Sequence, residues 1–120
     1  MSQILKIAPN ASLKDHTNRI RNILEDGGVI AFPTDTYYGL GVNPFNRKGI
    51  RRIFKIKSRR ANKPLLVLVA SEAQIDQLVQ NRSQQANRLI KKFWPAPLTL
   101  IFNAVPELPD ILTANTGKVG

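Results

Sequence analysis

Residues 32–41 read Phe-Pro-Thr-Asp-Thr-Tyr-Tyr-Gly-Leu-Gly, a polar loop that begins at the end of the apolar run Val29-Ile30-Ala31-Phe32. The apolar run predicts a buried strand, and Pro33, which has no backbone N–H, ends its ladder. Hydroxyl and carboxylate groups at the end of a strand lie where α/β folds bind small ligands. The same pattern is typical of a solvated strand-to-turn exit, so composition alone leaves both interpretations open.

Four segments, in order along the chain, resemble the YrdC-type threonylcarbamoyl-AMP synthase family. Residues 33–41 are similar to the family's Pro-Thr-Glu/Asp-Thr-x-Tyr-Gly-Leu-Gly, and Ile53-Phe54-Lys55-Ile56-Lys57-Ser58-Arg59 resembles its helix ending in Lys-x-Arg. Lys63-Pro64-Leu65 resembles its Lys-Pro-Leu strand start, and Phe93-Trp94-Pro95-Ala96-Pro97-Leu98-Thr99 its Trp-Pro-Gly-Pro-Leu-Thr. Arg60 stands where the family usually has Pro. The resemblance spans most of the chain.

Positive charge is concentrated in one part of the chain. The formal net charge is +10, and nine of the 18 Lys and Arg residues fall between positions 47 and 63, where there is no Asp or Glu. Such an excess favours phosphate-rich partners, nucleotides or RNA, without distinguishing them. The alternative for most of these residues is a solvated helix face followed by a basic loop.

The composition excludes several kinds of chemistry. There is no cysteine and hence no disulfide framework, thiolate nucleophile or cysteine-based metal site. The single histidine, His16, lies in a predicted amphipathic helix, which favours a packing or surface role. No apolar run approaches the length of a membrane span, and no signal-peptide pattern begins the chain. We therefore expect a soluble cytoplasmic protein with no membrane contact.

Helix and strand patterns alternate, which predicts an α/β domain. Expected strands are residues 3–7, 29–32, 40–43, 65–69 and 98–104, of which the all-aliphatic 65–69 should be buried on both faces. Four helices are expected. The first ends at Gly27-Gly28, and the second runs from near Asn46 to Lys57 or Ser58. The third follows a capping box at Ser71 and Gln74, and the fourth follows Ser83 and ends where Pro95 breaks it. A turn is expected at 106–109 and a short helical piece at 111–112. The resemblance implies that these elements form a twisted open sheet with flanking helices.

The resemblance also implies an activity. Family members join L-threonine, bicarbonate and ATP into threonylcarbamoyl-AMP and release pyrophosphate, and the product modifies an adenosine of tRNA with the help of other tRNA-modification proteins. ATP is a substrate, and Mg²⁺ is expected to be carried with it. Such a reaction asks the protein to hold reactants in line, neutralise phosphate charge and exclude water.

Candidate site residues follow from the matched motifs. Lys57 and Arg59 are the candidates for ATP phosphates, because an ammonium is a compact charge and a guanidinium is a planar fork. The candidates for L-threonine are Thr34, Thr36, Tyr38, Lys63 and Thr113. Asp35 could approach the Mg²⁺ of ATP, but one carboxylate is not a metal site, so no protein metal site is predicted. Trp94 is interpreted as a packing aromatic.

Residues 116–120 read like the approach to a further strand. The family normally continues into a strand ending in Arg, an apolar residue and Pro, and then to a Ser-x-Asn element that completes the nucleotide site; residues 1–120 contain neither. We therefore expect residues 1–120 to be one incomplete YrdC-like domain, truncated at its C-terminus, with uncovered apolar surface, marginal stability and no turnover on its own.

The sequence leaves two other functions open. One is a non-enzymatic RNA-binding module comparable to YciO-like relatives, whose concave basic face would hold tRNA or double-stranded RNA. The other is the related domain of a hydrogenase-maturation carbamoyltransferase, whose zinc-finger and acylphosphatase-like segments have no counterpart here.

Overall fold

The computed structural model describes residues 2–120 and confirms the α/β class. The strands, all short, are β1 (Ile30–Phe32), β2 (Gly39–Gly41), β3 (Phe102–Asn103) and β4 (Lys118–Val119). The helices are α1 (Thr17–Glu25), preceded by a 3₁₀ turn at Leu13–His16, α2 (Arg47–Ile56), α3 (Glu72–Leu78), α4 (Gln84–Phe93) and α5 (Asp110–Thr113). Within the described part of the chain, no helix is long and apolar enough to cross a membrane.

Helices α2 and α4 begin where their capping residues predict. Asn46 and Ser83 both accept a backbone N–H at the starts of α2 and α4. Ser71 precedes α3 without a side-chain cap, while the Gln74 side chain accepts the Ala70 N–H at 2.6 Å. The predicted capping box is therefore not formed, because Gln74 binds the N–H of the residue before the N-cap and Ser71 makes no cap bond.

β1 and β2 form an antiparallel hairpin that carries the predicted polar loop at its tip. Ile30 pairs with Gly41 and Phe32 with Gly39. A Cβ at Gly41 would lie only 2.9 Å from the Phe32 ring, so glycine lets the aromatic ring lie across β2. The hairpin therefore explains the Gly-Leu-Gly pattern and places residues 33–38 between two paired strands.

A second layer of extended chain forms around the antiparallel pair β3 and β4. On one side, the Val105 N–H donates to the Leu78 carbonyl at 2.9 Å, and Val79 bridges Ala104. On the other, the Val67 N–H donates to the Gly120 carbonyl at 2.9 Å. The spatial order is thus 78–80, β3, β4 and 65–67. Residues 116–120 were expected only to approach a further strand, whereas Lys118 and Val119 already form β4 and pair with β3.

One face of this layer packs against the helices, and the other is open. The core is built from buried aliphatic and aromatic side chains of α2, α3, α4, α5 and the layer: Ile50, Phe54, Ile75, Leu78, Val79, Ile90, Ala104, Leu108, Leu112 and Val119. On the opposite face Leu66 and Leu68 are 68% and 78% exposed, and Ile101 is 71% exposed. Residues 65–69 are extended chain without an assigned strand, and the prediction that they are buried on both faces is wrong. Leu65, Val67 and Val69 are half-buried against the core, whereas Leu66 and Leu68 are exposed.

Three other expected strands also differ. Residues 3–7 form no strand, since no backbone hydrogen bond joins them to another segment of residues 2–120. The strand expected at 98–104 is confined to β3, and the one expected at 40–43 is β2, which begins and ends earlier. The turn at 106–109 and the helical piece at 111–112 are confirmed.

Candidate phosphate-binding cleft

Helix α2 is held firmly at its first turn. The Asn46 Oδ1 accepts the Gly49 N–H at 3.0 Å, and its Nδ2 donates to the Glu25 carbonyl at 2.8 Å. The Arg52 Nη1 donates to the Gly27 carbonyl at 3.0 Å. One side chain thus caps α2 and ties it to the end of α1, so the direction of α2 is set by its N-terminal half.

The other end of α2 closes in a Schellman motif. The Arg59 N–H donates to the Phe54 carbonyl at 3.0 Å, and the Ser58 N–H to the Lys55 carbonyl at 3.3 Å. Ser58 has a φ of 48°, the left-handed conformation that this motif requires and that glycine usually supplies. The chain therefore reverses between Lys57 and Arg59, which puts the two residues on either side of a tight turn.

A short loop follows this turn and is closed on itself. The Arg59 Nη2 donates to the Pro64 carbonyl at 2.9 Å, and the Lys63 N–H to the Arg60 carbonyl at 3.1 Å. The guanidinium of Arg59 therefore anchors the loop with one N–H and keeps its others for a ligand.

The turn and the loop enclose an open cleft of about 380 Å³, lined by Lys57, Ser58, Arg59, Arg60 and Lys63. Four of these five residues are cations, and none is acidic. Three residues predicted as ligands, Lys57, Arg59 and Lys63, are thus brought together. The cleft suits an anion with several oxygens, because its lining combines ammonium and guanidinium donors and contains no carboxylate.

Two lining residues were not predicted as ligands. Arg60 stands where the family usually has Pro, and its charge was the only signal in the sequence that could have assigned it to the cleft. Ser58 contributes through its backbone conformation, for which the sequence carries no signal because Ser is not the usual residue at a left-handed position.

In the loop between β1 and β2, Thr34 orders its own neighbourhood. Its hydroxyl donates to the Tyr37 carbonyl and accepts the Thr36 N–H, the latter at 3.3 Å. Thr36 lies with its own hydroxyl 3.5 Å from that of Thr34, and the side chain of Tyr38 is exposed. The hydroxyls are grouped at the hairpin tip as predicted, while their assignment to L-threonine stays a prediction.

Thr113 lies in a different environment. It is only 4% exposed, and its hydroxyl donates to the Asp110 carbonyl at 3.3 Å within α5. The neighbouring Leu112 carbonyl accepts the Leu65 N–H at 3.0 Å, so α5 lies beside the Lys63-Pro64-Leu65 segment. Thr113 is therefore close in the fold to the cleft's last residues, but its hydroxyl is committed to its own helix.

Asp35 and Trp94 complete the set of singled-out residues. Asp35 is exposed at the hairpin tip, and residues 2–120 contain no group of three or more acidic or histidine side chains that could hold a metal ion. The Trp94 Nε1 donates to the Leu98 carbonyl at 3.0 Å while its rings pack against the core. The interpretation of Trp94 as a packing aromatic is confirmed.

Comparison with known proteins agrees with this architecture. A family model described as "Telomere recombination", which covers the Sua5, YciO and YrdC proteins, matches residues 22–120. The threonylcarbamoyl-AMP synthase of Pyrococcus abyssi is 38% identical over 80% of this chain and 28% of its own length. That of Chromobacterium violaceum is 38% identical over 84% of this chain and 52% of its own.

A solved structure extends the likeness to three dimensions. The structure of P. abyssi Sua5 complexed with L-threonine superposes with a TM-score of 0.81 at 34% identity, covering 91% of this chain and 32% of that one. The chain thus spans about half of the C. violaceum relative and about a third or less of the P. abyssi protein. The match of the family model to most of the chain shows that it belongs to the Sua5/YciO/YrdC family.

Proposed function

We propose that Lys57 and Arg59 of the cleft bind the phosphates of ATP, and that the protein takes part in forming threonylcarbamoyl-AMP from L-threonine, bicarbonate and ATP. The observation that carries the proposal is a cleft with four cations among its five lining residues, built by the Lys-x-Arg and Lys-Pro-Leu motifs, in a chain of this family. Relatives named threonylcarbamoyl-AMP synthase, at 38% identity, favour an enzyme over a non-enzymatic RNA-binding module.

The proposed chemistry needs placement and charge more than covalent help. The threonine amine captures carbon dioxide as a carbamate, and a carbamate oxygen attacks the α-phosphorus of ATP. The bond from that phosphorus to the oxygen that bridges to the β-phosphate breaks, and pyrophosphate leaves. Lys57 and Arg59 would neutralise the charge that builds on the phosphates, with Arg59 held in place by its bond to Pro64.

Mg²⁺ is assigned to the nucleotide in this proposal. Since the cleft lining contains no carboxylate or other oxygen-rich group apart from the Ser58 hydroxyl, its residues do not fit a protein-held Mg²⁺, which prefers carboxylates and substrate phosphates. The ion would enter with ATP as part of the substrate.

The hairpin tip is proposed to take the amino acid. Thr34, Thr36 and Tyr38 would bind L-threonine, with a contribution from Lys63. Thr113 could contribute only by giving up its hydrogen bond to the Asp110 carbonyl. The L-threonine complex of the P. abyssi relative supports an amino-acid site in this fold. Thr34 would exchange its contact with the Tyr37 carbonyl for one with the ligand.

The product would serve tRNA modification together with other proteins, in the cytoplasm where ATP and tRNA are found. We further propose that residues 1–120 form one YrdC-like domain that supplies the cleft and the hairpin tip. Turnover needs in addition the Ser-x-Asn element that the resemblance implies, because catalysis by positioning tolerates no missing wall.

Pyrophosphate release tests this function. The chain, and the same chain fused to the part of the C. violaceum synthase that lies beyond the match, are each supplied with ATP, with and without L-threonine and bicarbonate. The fusion should release pyrophosphate only when both are present. Release that ignores threonine, or a well-folded fusion that never turns over, would contradict the proposal and restore the RNA-binding alternative.

A further inference from the structure

Arg60 lines the cleft beside Lys57, Arg59 and Lys63 but has no part in the proposed chemistry. It begins a four-residue turn, because the Lys63 N–H donates to the Arg60 carbonyl at 3.1 Å. In such a turn the first and fourth Cα atoms lie less than about 7 Å apart. The backbone therefore holds Arg60 next to Lys63, in the second of the two consecutive turns that form the cleft.

The side chain of Arg60 does not support the loop that carries it. The loop is closed by the Arg60 carbonyl and by the guanidinium of Arg59, which donates to the Pro64 carbonyl at 2.9 Å. In the part of the chain that the structure describes, the Arg60 guanidinium is exposed and has neither a hydrogen bond nor an ion pair. A guanidinium has five N–H donors, so all five are open to a ligand.

The position of Arg60 is electrostatically unfavourable without a ligand. Lys57 and Arg59 precede it closely and Lys63 follows, and within residues 2–120 none of these three has an acidic partner. Like charges at such short range repel, and a cleft lined by one sign of charge concentrates ions of the other sign. A side chain that makes no bond to its own protein and stands among like charges is therefore stabilised by a bound anion.

The size and layout of the cleft favour an anion longer than a single phosphate. Its volume of about 380 Å³ falls within the range of small-molecule sites, about 300–1,000 Å³. Lys57 and Arg59 flank the first turn, whereas Arg60 and Lys63 stand at the two ends of the second. A short phosphate chain is satisfied by the first pair, while a longer chain has charged oxygens left for the second turn.

We propose that Arg60 is a further phosphate ligand, which gives the cleft a preference for a triphosphate over a diphosphate. The inference rests on the proposed function, because Lys57 and Arg59 hold the other phosphates. It adds a residue outside the matched motifs, since Arg60 stands where the family usually has Pro. The planar fork of Arg60 donates two N–H groups to the terminal phosphate. A diphosphate leaves that fork without a partner, and the difference in affinity is the preference.

The test uses two substitutions of Arg60 and one matched control. Arg60→Gln removes the charge, Arg60→Lys keeps the charge but removes the fork, and Arg88→Gln removes an exposed arginine of α4 outside the cleft lining. Calorimetric titration at fixed salt and Mg²⁺ gives the dissociation constants of ATP, ADP and inorganic tripolyphosphate for the parent and each variant. Tripolyphosphate has no nucleoside, so it reports the phosphate contacts alone.

Arg60→Gln should bind ATP and tripolyphosphate about tenfold more weakly, as expected for the loss of one charge-assisted contact. Its affinity for ADP should fall less than about threefold, because ADP lacks the phosphate that Arg60 binds. The preference for ATP over ADP therefore falls at least about threefold. Arg60→Lys should lie between the parent and Arg60→Gln. Arg88→Gln should change each dissociation constant less than about twofold, since salt screens a charge outside the cleft.

An unchanged preference for ATP over ADP in Arg60→Gln would overturn the inference, whether the two affinities fall equally or not at all. Weaker binding of ATP with unchanged binding of tripolyphosphate would overturn it as well, because Arg60 would then act on the nucleoside. Urea unfolding should be the same for the parent and all three variants, since the substituted side chains make no bond within residues 2–120.

Failure of this inference can be told apart from failure of the proposed function. If the inference alone is wrong, Lys57→Ala and Arg59→Ala still weaken the binding of ATP, while Arg60→Gln keeps the parent's preference. If the proposed function is wrong, Lys57→Ala and Arg59→Ala leave the affinity for ATP unchanged.

Discussion

The left-handed residue at the end of α2 makes the geometry of the cleft directly testable. Ser58 has a φ of 48° and is flanked by the Schellman bonds from Ser58 to Lys55 and from Arg59 to Phe54. A left-handed conformation costs a residue with a Cβ about 1–2 kcal/mol. Glycine avoids that cost but gives up about 0.5–1 kcal/mol in the entropy of the unfolded chain. We therefore expect Ser58→Gly to raise the free energy of unfolding by about 0.5–1 kcal/mol.

Ser58→Ala is the matched comparison, because it keeps the Cβ and removes only a hydroxyl that makes no side-chain hydrogen bond within residues 2–120. It should unfold within about 0.5 kcal/mol of the parent, as surface substitutions usually do. Ser58→Val should be the least stable of the three, because a β-branched residue tolerates a positive φ poorly.

Urea unfolding followed by circular dichroism gives the three free energies of unfolding. We expect the glycine variant to have the highest free energy of unfolding, the parent and the alanine variant to be equal, and the valine variant to have the lowest. A glycine variant less stable than the alanine variant would refute the assigned turn, and with it the placement of Lys57 and Arg59 on either side of that turn.

Two further substitutions probe the anchors of the helices. Ser83→Ala should lower the free energy of unfolding by about 1 kcal/mol, because the Ser83 Oγ accepts the Ala86 N–H at 3.1 Å. Ser71→Ala removes no cap bond and should change that free energy little. Equal losses in the two variants would refute the difference in capping. Arg52→Ala should lower the free energy of unfolding by about 1 kcal/mol, because the hydrogen bond to the Gly27 carbonyl is lost. Arg51→Ala, on the outward face, should leave it unchanged. Thermal melts of the two variants test this, and a lower melting temperature for Arg51→Ala than for Arg52→Ala would contradict the structure.

The positions of α2 and α4 were predictable because each of these helices begins at a residue whose short polar side chain caps it and carries apolar residues at the helical period. Asn46 with Ile50, Ile53 and Phe54, and Ser83 with Ile90, illustrate this. Both signals lie within one helix, so no knowledge of distant chain is needed.

Strands were harder to predict, because a strand exists only through its partner. Residues 65–69 are as aliphatic as a buried strand, yet Leu66 and Leu68 point away from the core. Nothing within those five residues encodes whether a second layer will cover them. The pairing of Val67 with Gly120 joins positions 53 residues apart, which no local pattern can reveal.

The cleft was only partly predictable from the sequence. Charge and motif order pointed to Lys57, Arg59 and Lys63, and the structure brings these three together. The sequence could not indicate that one N–H of Arg59 donates to the Pro64 carbonyl, or that the Thr113 hydroxyl is buried and donates within α5. Those contacts depend on backbone positions that are set by the loop and by tertiary packing.

Calorimetric titration of ATP tests the central claim most directly, using the parent chain, Lys57→Ala, Arg59→Ala and Lys91→Ala as an exposed control on α4. A lost charge-assisted contact costs about 1.5–3 kcal/mol, so each cleft variant should bind ATP about tenfold to a hundredfold more weakly, while Lys91→Ala binds as the parent does. Lys57→Ala should unfold as the parent does, which separates lost contact from lost fold. Unchanged ATP affinity in both cleft variants, or an equal loss in Lys91→Ala, would contradict a phosphate site in this cleft.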